Sequence, residues 1–113
     1  MEEVRKILKG YISNGLITTV ALYASTEGIS IPTATKRLSL KYTPFNIGNN
    51  SYLYCFDENI CKWLSNQFLV GNITTAAYYA ESMQIKLETA RTRLYRWDCE
   101  NIGNKRYLYI KRD

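Results

Sequence analysis

Apolar positions in this chain follow a helical period at the start of the sequence. In EEVRKILKGYI the apolar residues recur at helical spacing from Val4 to Ile12. The pair Asn14-Gly15 follows them, and Asn and Gly are typical of the residues that end a helix. The pattern therefore predicts a first amphipathic helix that ends before Gly15.

Two shorter helices are predicted next. In TTVALYAST we expect Thr18 to be the N-cap, because a hydroxyl accepts from the free amides of a first turn, and Gly28 to end the helix. A third helix should start after Ser30 as N-cap, with Pro32 in its first turn, where a missing N–H is tolerated. Its apolar stripe runs from Ile31 to Leu38.

The period then changes from helical to alternating. In SYLYCF, Leu53 and Cys55 should face one side of a strand and Tyr52 and Tyr54 the other. The segment Gly48-Asn49-Asn50 precedes this strand, and Gly and Asn tolerate the positive φ of a tight turn. A β-hairpin is therefore predicted after the third helix.

The whole series occurs twice. Between positions 15–38 and 71–94, 12 of 24 residues are identical at an offset of 56. The segment NIGNNSYLY at 46–54 returns as NIGNKRYLY at 101–109, at an offset of 55. The chain is interpreted as a tandem duplication, with one copy in residues 1–57 and a second in 58–113. No Pro/Gly/Ser-rich linker joins them, so we expect the copies to abut almost rigidly. The predicted fold class is α+β, mostly α, with three helices and a hairpin in each copy.

Composition narrows the class of protein. The net charge is +5, which moderately favours acidic partners such as nucleic acid. The sequence shows no secretory signal and no apolar run long enough to span a membrane, so an intracellular protein is expected, in the cytoplasm or nucleoid, or in a eukaryotic nucleus. Three cysteines without CxxC spacing favour reduced thiols over disulfides, and no metal site or cofactor is expected.

An enzyme is not expected. The chain has no histidine, no cysteine with an evident base partner, no phosphate-cradling Gly-rich loop and no paired-carboxylate signature.

The stretch EGISIPTATKRLSLKY resembles the helix-turn-helix core of winged-helix DNA-binding domains. It has a Gly in the turn, a Ser cap, and then Thr, a small residue, a basic residue and Leu. SMQIKLETARTRLYRW is similar but lacks the turn glycine and the Ser cap. The hairpins fit the wing of that family, so the resemblance covers nearly the whole chain and implies two tandem winged-helix domains.

The resemblance implies that the third helix of each copy enters the major groove and that the hairpin contacts the backbone or minor groove. No acidic residue occurs from Gly28 to Phe56, and eight basic residues oppose three acidic ones from Lys86 to Arg112. The expected DNA-contacting residues are Thr33, Thr35, Lys36, Arg37 and Asn50 in the first copy, and Thr89, Arg91, Thr92, Arg93, Arg96, Lys105 and Arg106 in the second.

Several of these residues have structural alternatives. Arg37 and Arg93 lie beside the apolar stripe and are as well suited to covering it or pairing with an acid. Lys105 and Arg106, at a hairpin tip, are also explained as solvated charges. Glu88, at the start of a helix, opposes phosphate binding there. The hairpin tyrosines suit either base stacking or packing between the copies or against a partner, and the latter is preferred.

Two functions follow. The leading hypothesis is a duplex DNA-binding protein, a small transcriptional regulator whose copies act as a covalent pseudo-dimer with reading heads about 34 Å apart. The alternative is a tandem winged-helix interaction subunit, as in ESCRT-II, condensin accessory proteins or the accessory subunits of replicative polymerases. Leu40, the exposed tyrosines and the small charge of the first copy favour this alternative, which also allows a protein partner or a homodimer.

Overall fold

The first half of the chain contains three helices and a three-stranded antiparallel sheet. The structure is a computed structural model, in which residues 2–48, 51–103 and 106–112 are described. The strand order of this sheet is β1-β3-β2. The elements are α1 (Glu2–Ser13), β1 (Ile17–Thr18), α2 (Val20–Glu27), α3 (Ile31–Lys41), β2 (Thr43–Asn46) and β3 (Tyr52–Cys55).

The second half repeats this order of elements. Its sheet has the order β4-β6-β5, so the last strand is again central. Over the described residues the fold is therefore α+β, with six helices and two small antiparallel sheets. The elements are α4 (Glu58–Leu69), β4 (Ile73–Thr74), α5 (Ala76–Met83), α6 (Leu87–Leu94), β5 (Asp98–Asn101) and β6 (Tyr107–Ile110).

The two-residue strands β1 and β4 were not predicted, because two residues are too few to show a period. Each pairs with the central strand of its own sheet, with Ile17 opposite Cys55 and Ile73 opposite Ile110. The alternation in β3 buries Leu53 and Cys55 completely, as expected. Tyr54, expected on the face opposite the core, is only 9% exposed, so burial in the central strand β3 is not confined to the face that carries Leu53 and Cys55.

The prediction of Thr18 as N-cap was wrong by one residue. Thr18 lies in β1 and is buried, whereas the hydroxyl of Thr19 accepts from the amide of Leu22 at 3.1 Å. In the second half, Thr75 caps α5 in the same way. In each half the first of the two threonines pairs with the central strand, so only the second is free to adopt the cap position.

The third helix of the first half begins as predicted. Ser30 is the N-cap of α3, accepting from the amide of Thr33 at 3.4 Å, and Pro32 lies in the first turn. Gly28, which ends α2, has φ +65°. The corresponding position in the second half is Gln84, which adopts the same left-handed conformation with φ +55°.

One hydrophobic cluster contains residues of both halves. Leu8 of α1 and Leu64 of α4 are fully buried in it. Phe68 of α4 packs edge-on against Phe45 of β2, with ring centroids 5.0 Å apart. The Cα radius of gyration is 13.6 Å, close to the value of about 13 Å expected for a single compact domain of this length. The two halves thus share a core.

Reciprocal hydrogen bonds join the end of each hairpin to the opposite half. The hydroxyl of Thr19 donates to the carbonyl of Ile102 at 2.5 Å, and that of Thr75 donates to the carbonyl of Ile47 at 2.6 Å. These pairs are related by the sequence repeat, so the contact has approximate twofold symmetry. Each hydroxyl also caps a helix, so it has a donor and an acceptor role at once.

The glycines beside these carbonyls allow the close approach. A Cβ on Gly48 would lie 2.9 Å from the backbone nitrogen of Tyr78, and one on Gly103 would lie 3.0 Å from that of Leu22. Both glycines also have φ near +96° (+97° and +96°), which other residues rarely adopt. Glycine is therefore required at this position of each hairpin for two reasons, the close backbone contact and the positive φ.

Two side chains of the first half have raised pKa values. Burial, followed by the neighbouring Cys61, raises the pKa of the Cys55 thiol well above its usual range. Burial raises the pKa of Tyr42, with smaller contributions from Tyr23 and Glu27, and its hydroxyl donates to the carbonyl of Gly15 at 2.8 Å. Cys55 is therefore a buried, protonated thiol at neutral pH.

Among the helices in the described ranges, none is both long enough and apolar enough to cross a membrane.

Candidate nucleic-acid interface

The helix α3 separates an apolar side from a polar one. Ala34 and Leu38 are fully buried against the rest of the first half. The side chains on the other side are exposed to solvent, as the helical period predicts. The predicted contact residues of this helix all belong to that exposed group: Thr33, Thr35, Lys36 and Arg37.

The two threonines of this group already donate or accept within the helix. The hydroxyl of Thr35 donates to the carbonyl of Ile31 at 3.0 Å, and that of Thr33 accepts from Ser30 at 2.9 Å. Lys36 and Arg37 have no partner of this kind among the hydrogen bonds of the described residues. The cationic side chains are thus the available donors on this face.

The helix α6 has the same two-sided arrangement. Ala90 and Leu94 are fully buried. Its N-cap, Lys86, makes no side-chain capping bond, which agrees with the missing serine in the sequence. The predicted contact residues on its exposed side are Thr89, Arg91, Thr92 and Arg93.

Arg96 is exposed but does not belong to this helix. The sequence pattern extends the helical stripe to Trp97, whereas α6 ends at Leu94 and residues 95–96 form a turn. Trp97 instead packs edge-on against Tyr79, with ring centroids 6.2 Å apart. Arg96 is therefore placed beyond the end of the helix, next to the start of β5.

Ion pairs neutralise much of the acidic charge near α6. Asp98 is paired with Arg112 at 2.9 Å and with Arg5 of the first half at 3.8 Å. Arg5 also lies 3.7 Å from Glu100. In the part of the chain that the structure describes, the ion pairs use Arg5 and Arg112 and leave Arg37 and Arg93 unpaired. The idea that either of those two arginines pairs with an acid is thus not supported there.

Of the three predicted contact residues in the hairpins, the structure describes Arg106. Asn50 and Lys105 lie outside the described residues. Arg106 is exposed, and its Nη1 donates to the hydroxyl of Ser51 on the other hairpin. The two hairpins therefore meet, and each also contacts the helix start of the opposite half.

A cleft of about 240 Å³ lies where α6 and the two hairpins come together. Arg91 and Arg106 both line it, together with Ser51. Tyr107 and Tyr109 also line it, so these two tyrosines contribute to a surface between the halves. Among the ten predicted contact residues that the structure describes, Arg91 and Arg106 are the two that line this cleft.

Neither the contact made by Ser51 nor the cleft itself was predicted from the sequence. Ser51 belongs to the predicted tip of the first hairpin but was not among the expected contact residues, and its contact with Arg106 joins positions 55 residues apart. One signal was present in the repeat, because Ser51 and Arg106 occupy equivalent positions in the two hairpins. Equivalent residues of a twofold arrangement meet when they lie near its axis.

Comparison with models of protein families, with curated proteins and with solved structures shows no match for this chain.

Proposed function

We propose that this chain is a duplex DNA-binding protein built from two winged-helix units, and that it acts as a small transcriptional regulator. The order helix, strand, helix, helix, strand, strand occurs in both halves, with the last strand central in each sheet. This order and pairing agree with a winged-helix unit in each half.

The observation that carries the proposal is the exposure of equivalent cationic helix faces. Both α3 and α6 bury an Ala and a Leu and leave their basic residues in solvent. Lys36 and Arg37 belong to a segment without acidic residues, and two of the three acids near α6 are held in ion pairs. Solvated Lys and Arg side chains on a helix supply the phosphate contacts and the base-edge donors that duplex binding requires.

The size of the molecule limits the DNA site. Its principal axes extend 35, 28 and 20 Å. Reading heads a full helical turn apart, about 34 Å, would have to lie at the two extremes of the longest axis. At about 3.4 Å per base pair the protein covers roughly 10 base pairs. We therefore expect a short site of about 10–12 base pairs rather than two widely spaced half-sites.

The test is binding to random-sequence duplex DNA across a salt series. Contacts with about six to eight phosphates predict a slope of log K against log salt of about −5 to −7. Removing Lys36 and Arg37 together, as Lys36→Ala with Arg37→Ala, should reduce the slope by about 2. The matched control removes the same charge from α1, as Lys6→Ala with Lys9→Ala, and should change the slope much less.

Two results would contradict the proposal. One is the absence of detectable duplex binding at low salt. The other is an equal loss of slope in the α3 and α1 double variants, which would mean that net charge, and not the helix face, attracts DNA. Circular dichroism of each variant establishes that the fold is retained.

A protein-interaction function is the second candidate. Leu40, at the end of α3, is 76% exposed, and Tyr95, just after α6, is 83% exposed. Large side chains exposed at the C-terminal ends of the two equivalent helices α3 and α6 are suited to a protein partner, including a second copy. Sedimentation equilibrium separates the two functions. A dimer that Leu40→Ser converts to a monomer favours the interaction function, and a monomer with duplex affinity favours DNA binding.

A further inference from the structure

Several residues that line the cleft can be compared with the equivalent residues of the first half. The apolar and aromatic positions are similar in the two halves, but the charged positions are not. Through the sequence repeat, Tyr107 and Tyr109 of the cleft correspond to Tyr52 and Tyr54, and Leu87 corresponds to Ile31. The aromatic and aliphatic lining is thus common to both halves.

At two polar positions of the cleft, the second half has a charged residue where the first half has a neutral one. Arg91 corresponds to Thr35, and Arg106 corresponds to Ser51. The second half therefore carries a guanidinium at each of two positions where the first half carries a hydroxyl. Both arginines line the same cleft, and none of the described residues that line it is acidic.

Neither Arg91 nor Arg106 forms an ion pair with another described residue. The ion pairs among these residues involve Arg5 and Arg112, and not Arg91 or Arg106. Glu88 lies one turn before Arg91 on α6 but forms no ion pair with it within those residues. Ser51 accepts from one nitrogen of Arg106, which orients that group and leaves its other donors available.

We propose that this cleft binds a phosphate group, which Arg91 and Arg106 contact from two sides. The planar fork of arginine matches the oxygens of a phosphate, and two such forks in one cleft provide the charge that a dianion requires. The volume of about 240 Å³ and the tyrosine walls suit a phosphate with a small aromatic group attached. The phosphate belongs either to a free nucleoside monophosphate or to the backbone of bound DNA. The second source rests on the proposed function, and the first does not.

The experiment uses the full chain and three probes: inorganic phosphate, adenosine monophosphate and a 12-base-pair duplex. Calorimetry measures the affinity of the two small probes. Arg91→Gln and Arg106→Gln should each weaken binding of the monophosphate by about tenfold or more. Lys62→Gln is the matched control, because it removes the same charge from an exposed position on α4 outside the cleft, and it should leave this affinity unchanged.

The duplex is tested by its salt slope. If one backbone phosphate occupies the cleft, the double variant Arg91→Gln/Arg106→Gln should lose a slope of about 1, the value of a single phosphate. A loss of about 2 means that the arginines contact separate phosphates and overturns the proposal for DNA.

The possible outcomes distinguish the proposal of a phosphate site in the cleft from the proposal of DNA binding. Binding of monophosphate that depends on both arginines, without any duplex affinity, supports the cleft and contradicts DNA binding. Duplex affinity that neither cleft variant changes, together with no binding of either small probe, overturns the cleft and leaves DNA binding intact. If Lys62→Gln weakens the binding of the small probes as much as the arginine variants do, the proposed phosphate site in the cleft is overturned as well. Thermal melting of each variant establishes that it is folded.

Discussion

Replacement of Thr19 with Val is expected to weaken the contact between the two halves more than its small volume change suggests. The Thr19 hydroxyl accepts from the amide of Leu22 and donates to the carbonyl of Ile102, which lies in the other half. Valine has nearly the same shape but makes neither hydrogen bond. The substitution therefore removes a helix cap and an inter-half contact without creating a large cavity.

The expected decrease in the free energy of unfolding follows from the loss of these two hydrogen bonds. Removal of a Thr cap costs about 1 kcal/mol. A buried carbonyl that loses its partner costs about 1–3 kcal/mol. Thr19 is 8% exposed, so water replaces the lost partner poorly. We expect the free energy of unfolding to fall by about 2–4 kcal/mol.

Thr18→Val is the matched control. Thr18 is adjacent and equally buried, but its hydroxyl donates only to the carbonyl of the next residue, at 3.3 Å. We expect this change to lower the free energy of unfolding by less than about 1 kcal/mol. The comparison separates the combined loss of the helix cap and the inter-half bond from the general effect of a buried Thr-to-Val substitution.

Urea unfolding followed by tryptophan fluorescence and circular dichroism provides the measurement. Both tryptophans, Trp63 and Trp97, lie in the second half, and Trp63 packs edge-on against Tyr11 at 5.4 Å. Because the core is shared, Thr19→Val in the first half should lower the midpoint seen by these tryptophans by about 1–2 M, with the slope m unchanged.

Two observations would refute this reasoning. The first is a Thr19→Val midpoint no lower than that of Thr18→Val. The second is a fluorescence midpoint that stays at the wild-type value while circular dichroism shows an earlier transition, since this would mean that the halves unfold independently.

Three further predictions concern single positions. Gly48→Ala should lower the midpoint of urea unfolding far more than Gly28→Ala. Both glycines have positive φ, but of the two only Gly48 has a backbone atom within 3 Å of an added Cβ. Similar decreases in the two variants would contradict the close approach at Gly48. Gln84→Gly should raise the free energy of unfolding by about 1 kcal/mol, since glycine adopts the left-handed conformation without strain, and a decrease in the same urea experiment would count against this. Mass-resolved alkylation at pH 8 should label the exposed Cys99 well before Cys55, whose burial and raised pKa keep it a protonated thiol, and comparable rates would disprove that assignment.

Much of the local structure follows from the sequence, because its causes lie within a few residues. The apolar spacing of Ala34 and Leu38 defines the buried side of α3, and this spacing alone places Lys36 and Arg37 in solvent. The cap at Ser30 is equally local. The exposed cationic faces of the candidate interface were therefore predictable. The end of α6 was not, because Trp97 leaves the helical stripe to pack against a different helix, α5.

The relation of the two halves was decided by tertiary structure. The repeat indicated that there are two similar halves, but it did not indicate that their hairpins dock on each other's helices. The contact of Thr19 with Ile102 joins residues 83 positions apart, and the contact of Arg106 with Ser51 joins residues 55 apart. Such contacts leave no period in the sequence, because period records only which side of an element is buried and not what buries it. The cleft with Arg91 and Arg106 exists only once this docking has brought two hairpins and a helix to one place.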